Sequence, residues 1–326
     1  MSVLITGGAG YIGSNLCVEL INNGYDIIVV DDFVNAKEKY IEKLKTSFID
    51  KIKMYKVGVC NEQLLETIFN ENDIEGVIHL AARKYVDESI KNPQEYLDNN
   101  INSTKSVLSC INKYNVKKLL FASSVVVYGN PLYLPVDECH LLNPLNPYAV
   151  SKMECETLIN EWAKEEGNTA IICRFSNPVG ANTTYMLGDD PKSNKKNLFP
   201  YICEKVNNEE KLMFNGNDHP TRDGTSIRDY IHVSDLVYIV AQLYKNIEKS
   251  VTCNVARGEG YTVLETLKTF ESVLGKKMEY GFKPKRENDV SDISFTTKKL
   301  KKLIDFEYKK DLTGIVKSQL EFSNNK

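Results

Sequence analysis

The sequence has no strong excess of charge of either sign and no long hydrophobic run. Its 41 lysine and arginine residues nearly balance 44 aspartate and glutamate residues, for a net charge of −3. This balance gives no electrostatic reason to expect nucleic acid or an anionic membrane as a partner. No apolar run is long enough to cross a bilayer. Because the chain enters a glycine motif directly after its first residues, we also expect no signal peptide.

Spacings typical of metal sites are missing too. The four histidines are scattered, and none of the eight cysteines forms a C-x-x-C pair, so the sequence predicts no metal site. Most of the cysteines lie in apolar surroundings. In a chain of 326 residues they indicate buried free thiols and not a disulfide framework. We therefore expect a reduced, cytoplasmic compartment.

The first residues of the chain have the pattern of a βαβ unit with glycines at its first turn. A short apolar strand is followed by GGAGYIG, a helix and a second strand. Gly7, Gly10 and Gly13 allow a tight turn, a close approach to a pyrophosphate and close packing of helix on strand, and the helix N-terminus offers N–H groups to phosphates. Asp31 ends the second strand, where a carboxylate accepts hydrogen bonds from a ribose diol and repels a 2′-phosphate. The unit predicts a dinucleotide site that favours NAD over NADP.

Strands and helices continue to alternate up to residue 175. This alternation predicts an α/β fold of Rossmann type, a doubly wound parallel sheet with helices on both faces, whose ligands bind beyond the carboxyl ends of the strands. We expect strands over residues 2–6, 26–30, 53–57, 76–80, 118–122 and 170–175, and helices over 14–22, 62–70, 93–114 and 148–164.

After Asn177 the pattern changes. The sequence predicts a polar loop over residues 178–197 and then less regular α/β structure that ends in a charged loop, KPKRENDVSD. We expect helices over 199–207, 234–244 and from 264, and strands over 211–215 and 278–282. We predict an NAD-binding domain over residues 1–176 and a smaller nucleotide-sugar-binding lobe over 177–326, with the chain free to cross back between the two.

Tyr148 and Lys152 form a candidate acid/base pair. They stand four residues apart at a predicted helix start, so they share one face of the helix. A cation next to a tyrosine favours the phenolate and lowers the pKa from its usual value of about 10, and a serine from the Ser123-Ser124 pair would share or relay the proton. Such a group exchanges protons with an alcohol or ketone near neutral pH.

The glycine motif and the Ser/Tyr/Lys set occur in the order and spacing of the extended short-chain dehydrogenase/reductase superfamily. From Ser2 to about Asp289 the chain resembles the UDP-glucose 4-epimerase family within it. The likeness is carried by TGGAGYIGSN, HLAARKYVDES, the Asn99-Asn100 pair, SSVVVYG, NPYAVSK, SNPVGAN, KNLFPYI and GNDHPTRDGTSIRDYIHVSDL.

The resemblance implies a tightly bound NAD that is regenerated in each cycle. Gly7, Gly10, Tyr11, Ile12 and Gly13 would hold its pyrophosphate. The other cofactor residues implied are Asp31, Asp32, Phe33, Asn35, Gly58, Val59, Leu80, Ala81, Ala82, Lys84, Asn99, Tyr148, Lys152 and Ser176.

The resemblance also implies the reaction. Tyr148 would exchange a proton with the sugar C4 hydroxyl, Lys152 would bind the nicotinamide ribose and lower the pKa of the tyrosine, and Ser124 would bind the C4 oxygen. The 4-keto sugar would turn over and be reduced on its other face, which interconverts UDP-glucose and UDP-galactose in galactose metabolism. The substrate residues implied are Lys84, Ser124, Tyr148, Asn177, Asn197, Leu198, Met213 and Asn215 (at the uracil, through backbone groups), Arg228 and Arg286 (at the diphosphate) and Asp289.

Four positions depart from the family pattern. Gly58 replaces an aspartate, so a side-chain bond to the adenine is lost, and Val126 replaces a threonine in the sugar pocket. Phe175 and Ser176 replace tyrosine and phenylalanine. The residue that gates sugar size falls near Ile293, where a bulky side chain would exclude N-acetyl sugars.

Other functions remain open at this stage. They are a UDP-N-acetylhexosamine or UDP-pentose 4-epimerase, an NDP-sugar 4,6-dehydratase and a non-catalytic NAD-sensing module. A dehydratase needs an acid pair where this chain has Val125 and Val126, and a module without catalysis would have lost Tyr148 or Lys152. The family also suggests a homodimer formed through the helices predicted over residues 93–114 and 148–164.

Overall fold

The computed structural model of this chain describes residues 2–190, 197–286 and 289–325. Its first elements are β1 (Ser2–Thr6), α1 (Tyr11–Asn22), β2 (Asp26–Asp31), α2 (Glu38–Ser47), β3 (Ile52–Lys56), α3 (Glu62–Glu71), β4 (Ile74–His79), α4 (Val86–Lys91), α5 (Pro93–Lys113), β5 (Lys118–Ser124), a 3₁₀ turn (Val125–Tyr128), α6 (Pro147–Trp162) and β6 (Thr169–Phe175).

Shorter strands and five more helices follow. They are β7 (Asn177–Val179), β8 (Ala181–Asn182), β9 (Leu187–Gly188), α7 (Leu198–Asn207), β10 (Leu212–Asn215), β11 (Ile227–His232), α8 (Val233–Asn246), β12 (Val251–Val255), β13 (Gly260–Thr262), α9 (Val263–Leu274), β14 (Tyr280–Lys283), β15 (Asp292–Ile293), α10 (Lys298–Leu303) and α11 (Leu312–Asn325).

The main sheet has seven strands in the order β12-β6-β5-β4-β1-β2-β3. The pairs from β3 to β6 are parallel, and at the carboxyl end of β1, Thr6 lies opposite Val30 on one side and His79 on the other. These strands are nearly continuous apolar runs because parallel strands are covered by helices on both faces; Val3, Leu4 and Ile5 are fully buried. The predicted Rossmann-type α/β fold is confirmed.

Most of the predicted elements are present with shifted ends. Helix α1 begins at Tyr11 and not at residue 14, because Gly13 belongs to its first turn. Strand β5 runs on to Ser124, so Ser123 and Ser124 are its last residues. Helices α2, α4, α10 and α11 were not predicted, nor were strands β7, β8, β9, β11, β12, β13 and β15, and of these β8 and β9 lie in the stretch predicted as a loop. In the predicted loop over 178–197, residues 191–196 lie outside the described residues, as do 287 and 288 in the charged loop.

The chain forms two compact units. The first consists of Met1–Gly129, Leu142–Phe175 and Val237–Cys253, and the second of Asn130–Leu141, Ser176–Leu236 and Asn254–Lys326. The sequence prediction placed the main boundary after residue 176 and left the chain free to cross back. In the structure Asn130–Leu141 belongs to the second unit and Val237–Cys253 to the first, and β12 takes the edge position of the main sheet beside β6.

The second unit has its own small sheets and core. Strand β11 pairs in parallel with β7 and β15 and antiparallel with β13, and β10 pairs in parallel with β14. Helix α9 starts in a capping box, in which Thr262 and Glu265 each bind the other's backbone N–H, and it ends at Gly275 in the left-handed conformation. Within the ranges described, no helix is both long and apolar enough to span a membrane.

Candidate active site

The three candidate catalytic residues lie in the first unit, at the end of β5 and the start of α6. Asn146 caps α6, since its side-chain oxygen accepts from the N–H of Ala149 at 2.9 Å, and this cap fixes where the helix begins. Tyr148 and Lys152 follow within the first turns, and the Ser124 side chain is near enough to the Tyr148 phenol to lower its pKa. The structure therefore brings the predicted hydroxyl pair together.

Lys152 is directed at the neighbouring strand. Its Nζ donates to the carbonyl oxygen of Ala122 at 2.7 Å and lies 4.6 Å from the centre of the Phe121 ring. The side chain is almost completely buried, and loss of water around the ammonium lowers the pKa of Lys152 to about 8. Lys152 is thus held against the end of β5, beside the strand residue that precedes the serine pair.

The predicted effect of Lys152 on the pKa of Tyr148 is wrong. The sequence predicted that this lysine lowers the pKa of the tyrosine, whereas the pKa of Tyr148 is raised overall, and burial is the largest cause. The Ser124 side chain and the charge of Lys84 offset part of that rise. Lys152 instead donates to Ala122. The cation that favours the phenolate here is Lys84, which the sequence had assigned to ligand contacts alone.

A buried ion pair between Glu156 and Arg174 lies next to the acid/base residues, and it was not predicted from the sequence. Glu156, one turn after Lys152, accepts from Arg174 Nη2 at 2.6 Å and Nε at 3.0 Å, and from Ser123 Oγ at 2.5 Å. Arg174 also donates to the Tyr128 hydroxyl at 2.9 Å. The available signal was an arginine inside the apolar strand AIICRF. The network joins β5, α6 and β6, the elements that carry or flank the acid/base residues.

A second missed residue, Asn100 of α5, fixes the start of α6. Its amide nitrogen donates to Ser151 Oγ at 2.8 Å and to the Arg83 carbonyl at 3.1 Å, and its oxygen accepts from the Arg83 N–H at 2.8 Å. Ser151 in turn donates to the Tyr148 carbonyl at 2.8 Å. The amide therefore ties the backbone of Tyr148 to the loop that carries Lys84.

The glycines after β1 form a tight cradle at the start of α1. Gly7 has a φ of +70°, and a Cβ there would lie 2.8 Å from the N atom of Ala81; a Cβ at Gly13 would lie 2.3 Å from the Gly7 carbonyl oxygen. No side chain fits at either position. Gly10, the N-cap of α1, has no side chain to accept from the first N–H groups of the helix. The turn therefore has the features of an anion site at a helix N-terminus.

Asp31, the predicted ribose ligand, is buried at the end of β2. Its oxygens accept from the backbone N–H groups of Ala9 at 3.1 Å and Phe33 at 2.8 Å. The carboxylate thus braces the glycine turn against the next loop, where Phe33 has a left-handed φ of 56°. The neighbouring Asp32 is exposed and accepts from the N–H of Val34 at 2.9 Å.

The other predicted cofactor residues of this unit lie on the connections that follow β2, β3 and β4 and on α5. Gly58 faces open space, since a Cβ there would meet only the Cβ of Asp32, at 4.0 Å. The Cys60 thiol donates to the Asn99 carbonyl at 3.4 Å. Asn35, Leu80, Ala81 and Ala82 are half-buried, Val59 is buried and Lys84 is exposed.

In the second unit, Ser176 is a predicted cofactor residue and Asn177 is the first of the predicted substrate residues. Ser176 Oγ is buried and has no hydrogen-bond partner in the part of the chain described. Asn177 donates to the Asp229 carbonyl at 3.0 Å. Asp229 accepts from the N–H groups of Arg257 and Gly258, both at 2.8 Å, and burial raises its pKa to about 7. Asn177 is therefore bonded to β11, which Asp229 ties to the backbone of Arg257 and Gly258. The hydroxyl oxygen of Ser176 remains available for a hydrogen bond.

The predicted base-binding residues lie around α7 and β10. Asn197 and Leu198 start α7, with Asn197 exposed. The N–H of Met213 donates to the Tyr201 hydroxyl at 2.9 Å, and that hydroxyl donates to the Met213 carbonyl at 3.3 Å. The N–H of Met213 is thus already bonded, so a predicted base contact through that group would require Tyr201 to move, while the carbonyl oxygen can accept a second hydrogen bond. Asn215 ends β10 and is half-buried.

The two arginines of the predicted diphosphate clamp differ. Arg228 is half-buried and donates from Nη2 to Asp289 Oδ1 at 2.7 Å and from Nη1 to the Val290 carbonyl at 2.7 Å, whereas Arg286 is exposed. Ile293, the predicted gate, is paired opposite Arg228 and buried. No group of histidine, cysteine and acidic residues in the described ranges is arranged to hold a metal ion.

Comparison with known proteins adds the family. The sequence model of the NAD dependent epimerase/dehydratase family matches residues 3–256 of this chain. The chain belongs to the NAD-dependent epimerase/dehydratase family. Its relatives span its whole length. It is 37% identical over 318 residues to the UDP-glucose 4-epimerase of Bacillus subtilis, covering 96% of this chain and 94% of that protein.

Other members of the family extend the likeness. The chain is 34% identical over 334 residues to a bifunctional UDP-glucose 4-epimerase and UDP-xylose 4-epimerase of Pisum sativum, covering 99% of this chain and 95% of that protein. The structure is similar to that of UDP-glucose 4-epimerase from Bifidobacterium longum in complex with NAD⁺ and UDP. The TM-score is 0.95 and the identity 36%, over 99% of this chain and 98% of that chain.

The residues of this epimerase/dehydratase family member fit an NAD cofactor. The turn through Gly7 and Gly13 is tight because a Cβ on either residue would collide with backbone atoms. It leads into the uncapped N-terminus of α1, where an anion is favoured, and Asp31 places a carboxylate at the next strand end.

Proposed function

We propose that this protein is an NAD-dependent UDP-glucose 4-epimerase, which interconverts UDP-glucose and UDP-galactose. The observation that carries the proposal is the grouping of Ser124, Tyr148 and the buried Lys152 at the end of β5 and the start of α6, in the same unit as the glycine cradle. The first unit would bind NAD through the residues named above, and the second would bind the nucleotide sugar.

The acid/base residues act on the sugar C4 oxygen. Bound NAD supplies the hydride acceptor and returns the hydride. Tyr148 takes the proton of the C4 hydroxyl and gives it back after the sugar has turned over, while Ser124 hydrogen-bonds the same oxygen. Lys84 favours the phenolate by its charge, and Lys152 holds the nicotinamide ribose. A positioned acid/base of this kind contributes about 10²–10⁴-fold to a rate.

The second unit keeps the substrate in place while the sugar turns. Arg228 and Arg286 bind the diphosphate, which guanidinium groups do well because of their fork of donors. Affinity is placed on the nucleotide and not on the sugar, because the sugar has to rotate between the two hydride transfers. The proposed substrate residues are Lys84, Ser124, Tyr148, Asn177, Asn197, Leu198, Met213, Asn215, Arg228, Arg286 and Asp289.

The alternative functions are less well supported. Val125 and Val126 occupy the 3₁₀ turn after β5, so the acid pair that a 4,6-dehydratase needs is missing there. A non-catalytic module is not favoured, since Tyr148 and Lys152 are both present and in place. UDP-hexoses are preferred to N-acetylated sugars because Ile293 is a bulky residue near the predicted gate.

We further propose that the protein is a cytoplasmic homodimer that uses α5 and α6 of each subunit. Light scattering on the purified protein would test the stoichiometry. A mass of about 37.0 kDa, that of one chain, would contradict the dimer.

The reaction itself is tested with purified protein and no added cofactor. UDP-glucose, UDP-galactose, UDP-GlcNAc and UDP-GalNAc are incubated separately, and the products are identified by NMR. We expect the first two to interconvert. Conversion of the N-acetylated pair would change the assigned substrate, and no conversion of any of the four would overturn the epimerase proposal.

A further inference from the structure

His219 is a buried histidine in the second unit, within the stretch GNDHPTRDGT. Its side chain is 5% exposed. The ring packs beneath the turn that follows β10, because Gly216 has a φ of +72° and a Cβ on that glycine would come 2.5 Å from His219 Nε2. The ring is therefore in contact with the segment that directly follows Asn215 of the proposed base-binding strand.

The two ring nitrogens of His219 have different surroundings. Nδ1 lies 3.0 Å from Ser291 Oγ, a hydrogen-bond distance. Nε2 is buried and has no hydrogen-bond partner within the described ranges, and it lies 3.8 Å from Asp289 Oδ2. A buried polar atom that stays unpartnered destabilises the fold, so such atoms in native structures generally have a reason.

Asp289 connects His219 to the proposed diphosphate site. Its Oδ1 accepts from Arg228 Nη2 at 2.7 Å, while Oδ2 faces His219. Nη1 of Arg228 is bonded to the Ile227 and Val290 carbonyls. A guanidinium has five N–H donors, so an anion that takes the donors of Nη2 competes there with Asp289. At the same turn, Lys285 Nζ pairs with Asp218 Oδ2 at 3.3 Å.

We propose that His219 is a positioning residue for binding of a nucleoside diphosphate. When Arg228 donates to the diphosphate, Asp289 closes onto His219 Nε2. This movement gives the histidine its missing partner and keeps the carboxylate bonded after it has released the arginine. The inference rests on the proposed function, because it assigns the diphosphate to Arg228.

Two substitutions test the roles of the two ring nitrogens of His219 separately. His219→Gln places an amide nitrogen near the position of Nε2, whereas His219→Asn reaches only the position of Nδ1. UDP binding is measured by calorimetry on the full-length, NAD-loaded protein. We expect His219→Asn to weaken binding about tenfold, the effect of losing a hydrogen bond to a charged group, and His219→Gln to restore most of it.

Control measurements distinguish this role from a fold defect. The NAD content and urea midpoint of each variant are recorded, and Asp218→Asn, on the same turn, is expected to bind UDP as the wild type does. In the Asp289→Asn background, His219→Asn should cause little further loss, because its effect passes through Asp289. Equal losses in both backgrounds, or wild-type affinity for His219→Asn, would overturn the inference alone. Failure of the wild-type protein to bind UDP would overturn the proposed function with it.

Discussion

The two units of this protein prepare their candidate sites in different ways. In the first, the polar groups around the acid/base residues already bond one another, as the Lys152 ammonium does with Ala122 and Glu156 with Arg174. In the second, Arg286 is exposed, and buried atoms such as Ser176 Oγ and His219 Nε2 have no partner among the described residues.

This difference fits the two tasks. A group that transfers a proton must be held in a fixed geometry, because a misplaced acid/base loses much of its effect. A surface that binds a charged nucleotide needs polar atoms that the ligand can satisfy. The residues around Lys152 and Glu156 are thus held in place before substrate arrives, while Ser176 Oγ and His219 Nε2 are buried atoms that can still take a hydrogen-bond partner.

The largest effect is expected from Tyr148→Phe. Loss of the phenol should lower epimerisation about 10²–10⁴-fold, because the substitution removes the proposed acid/base at the C4 oxygen. Coupled assay of UDP-galactose formation measures the rate, and absorbance after denaturation measures bound NAD, which should not change. A matched control is Tyr133→Phe, an exposed tyrosine. If Tyr148→Phe turned over at the wild-type rate, the first unit would not be the catalytic one.

Glu156→Gln tests how strongly the first unit depends on its internal pairing. Arg174 would remain charged and buried without its partner, which should destabilise the protein by about 3–5 kcal/mol. On the same helix, Glu161 pairs with Lys164 in the open, and Glu161→Gln should cost about 0–1 kcal/mol. Urea unfolding measures the free energy of unfolding of both variants. Similar values for Glu156→Gln and Glu161→Gln would contradict the importance of the buried pair.

Lys152→Met tests the cost of holding this ammonium out of water. The pKa of Lys152 falls from 10.5 to about 8 on folding, so between these values the unfolded chain binds more protons and native stability rises with pH. The substitution should therefore stabilise the cofactor-free protein by about 3 kcal/mol at pH 7. This gain should shrink as the pH rises above 8, a change that urea midpoints at pH 7 and 9.5 would reveal. A gain of the same size at both pH values would contradict the shifted pKa.

The smallest effects are expected in the second unit. Arg228→Ala should weaken UDP binding by about 1.5–3 kcal/mol, as for loss of a charged hydrogen bond, because Asp289 and the Val290 carbonyl hold its guanidinium in place. Arg286→Ala should cost about 1 kcal/mol or less, since an exposed charge is well solvated. Calorimetric titration with UDP measures both. A larger loss of UDP affinity for Arg286→Ala than for Arg228→Ala would show that holding the guanidinium in place before binding does not determine its contribution.

The sequence predicted the first unit well because its signals are local. The glycine spacing, the apolar strands and the Tyr-x-x-x-Lys turn each lie within one short stretch, and they led to the sheet and to the pairing of Ser124 with Tyr148. The missing parts depend on contacts between distant residues. Strand β12 joins a sheet whose neighbouring strand ends 76 residues earlier, at Phe175.

The pKa of Tyr148 illustrates the same limit. Spacing places Lys152 on the same helix face, but it does not show that the ammonium bonds to Ala122 or that burial outweighs charge. The bond of Tyr201 to both backbone groups of Met213 and the orphan nitrogen of His219 are likewise visible only after folding. An arginine within AIICRF was the one local hint of the Glu156–Arg174 pair.

The position of β12 has a consequence for protein synthesis. The strand that completes the main sheet beside β6 spans Val251–Val255, so it leaves the ribosome after most of the chain has been made. Until then the backbone groups along that edge of β6 are exposed, and an exposed strand edge is a template for pairing with another chain. A nascent or truncated chain that stops near residue 176 would carry this edge uncovered.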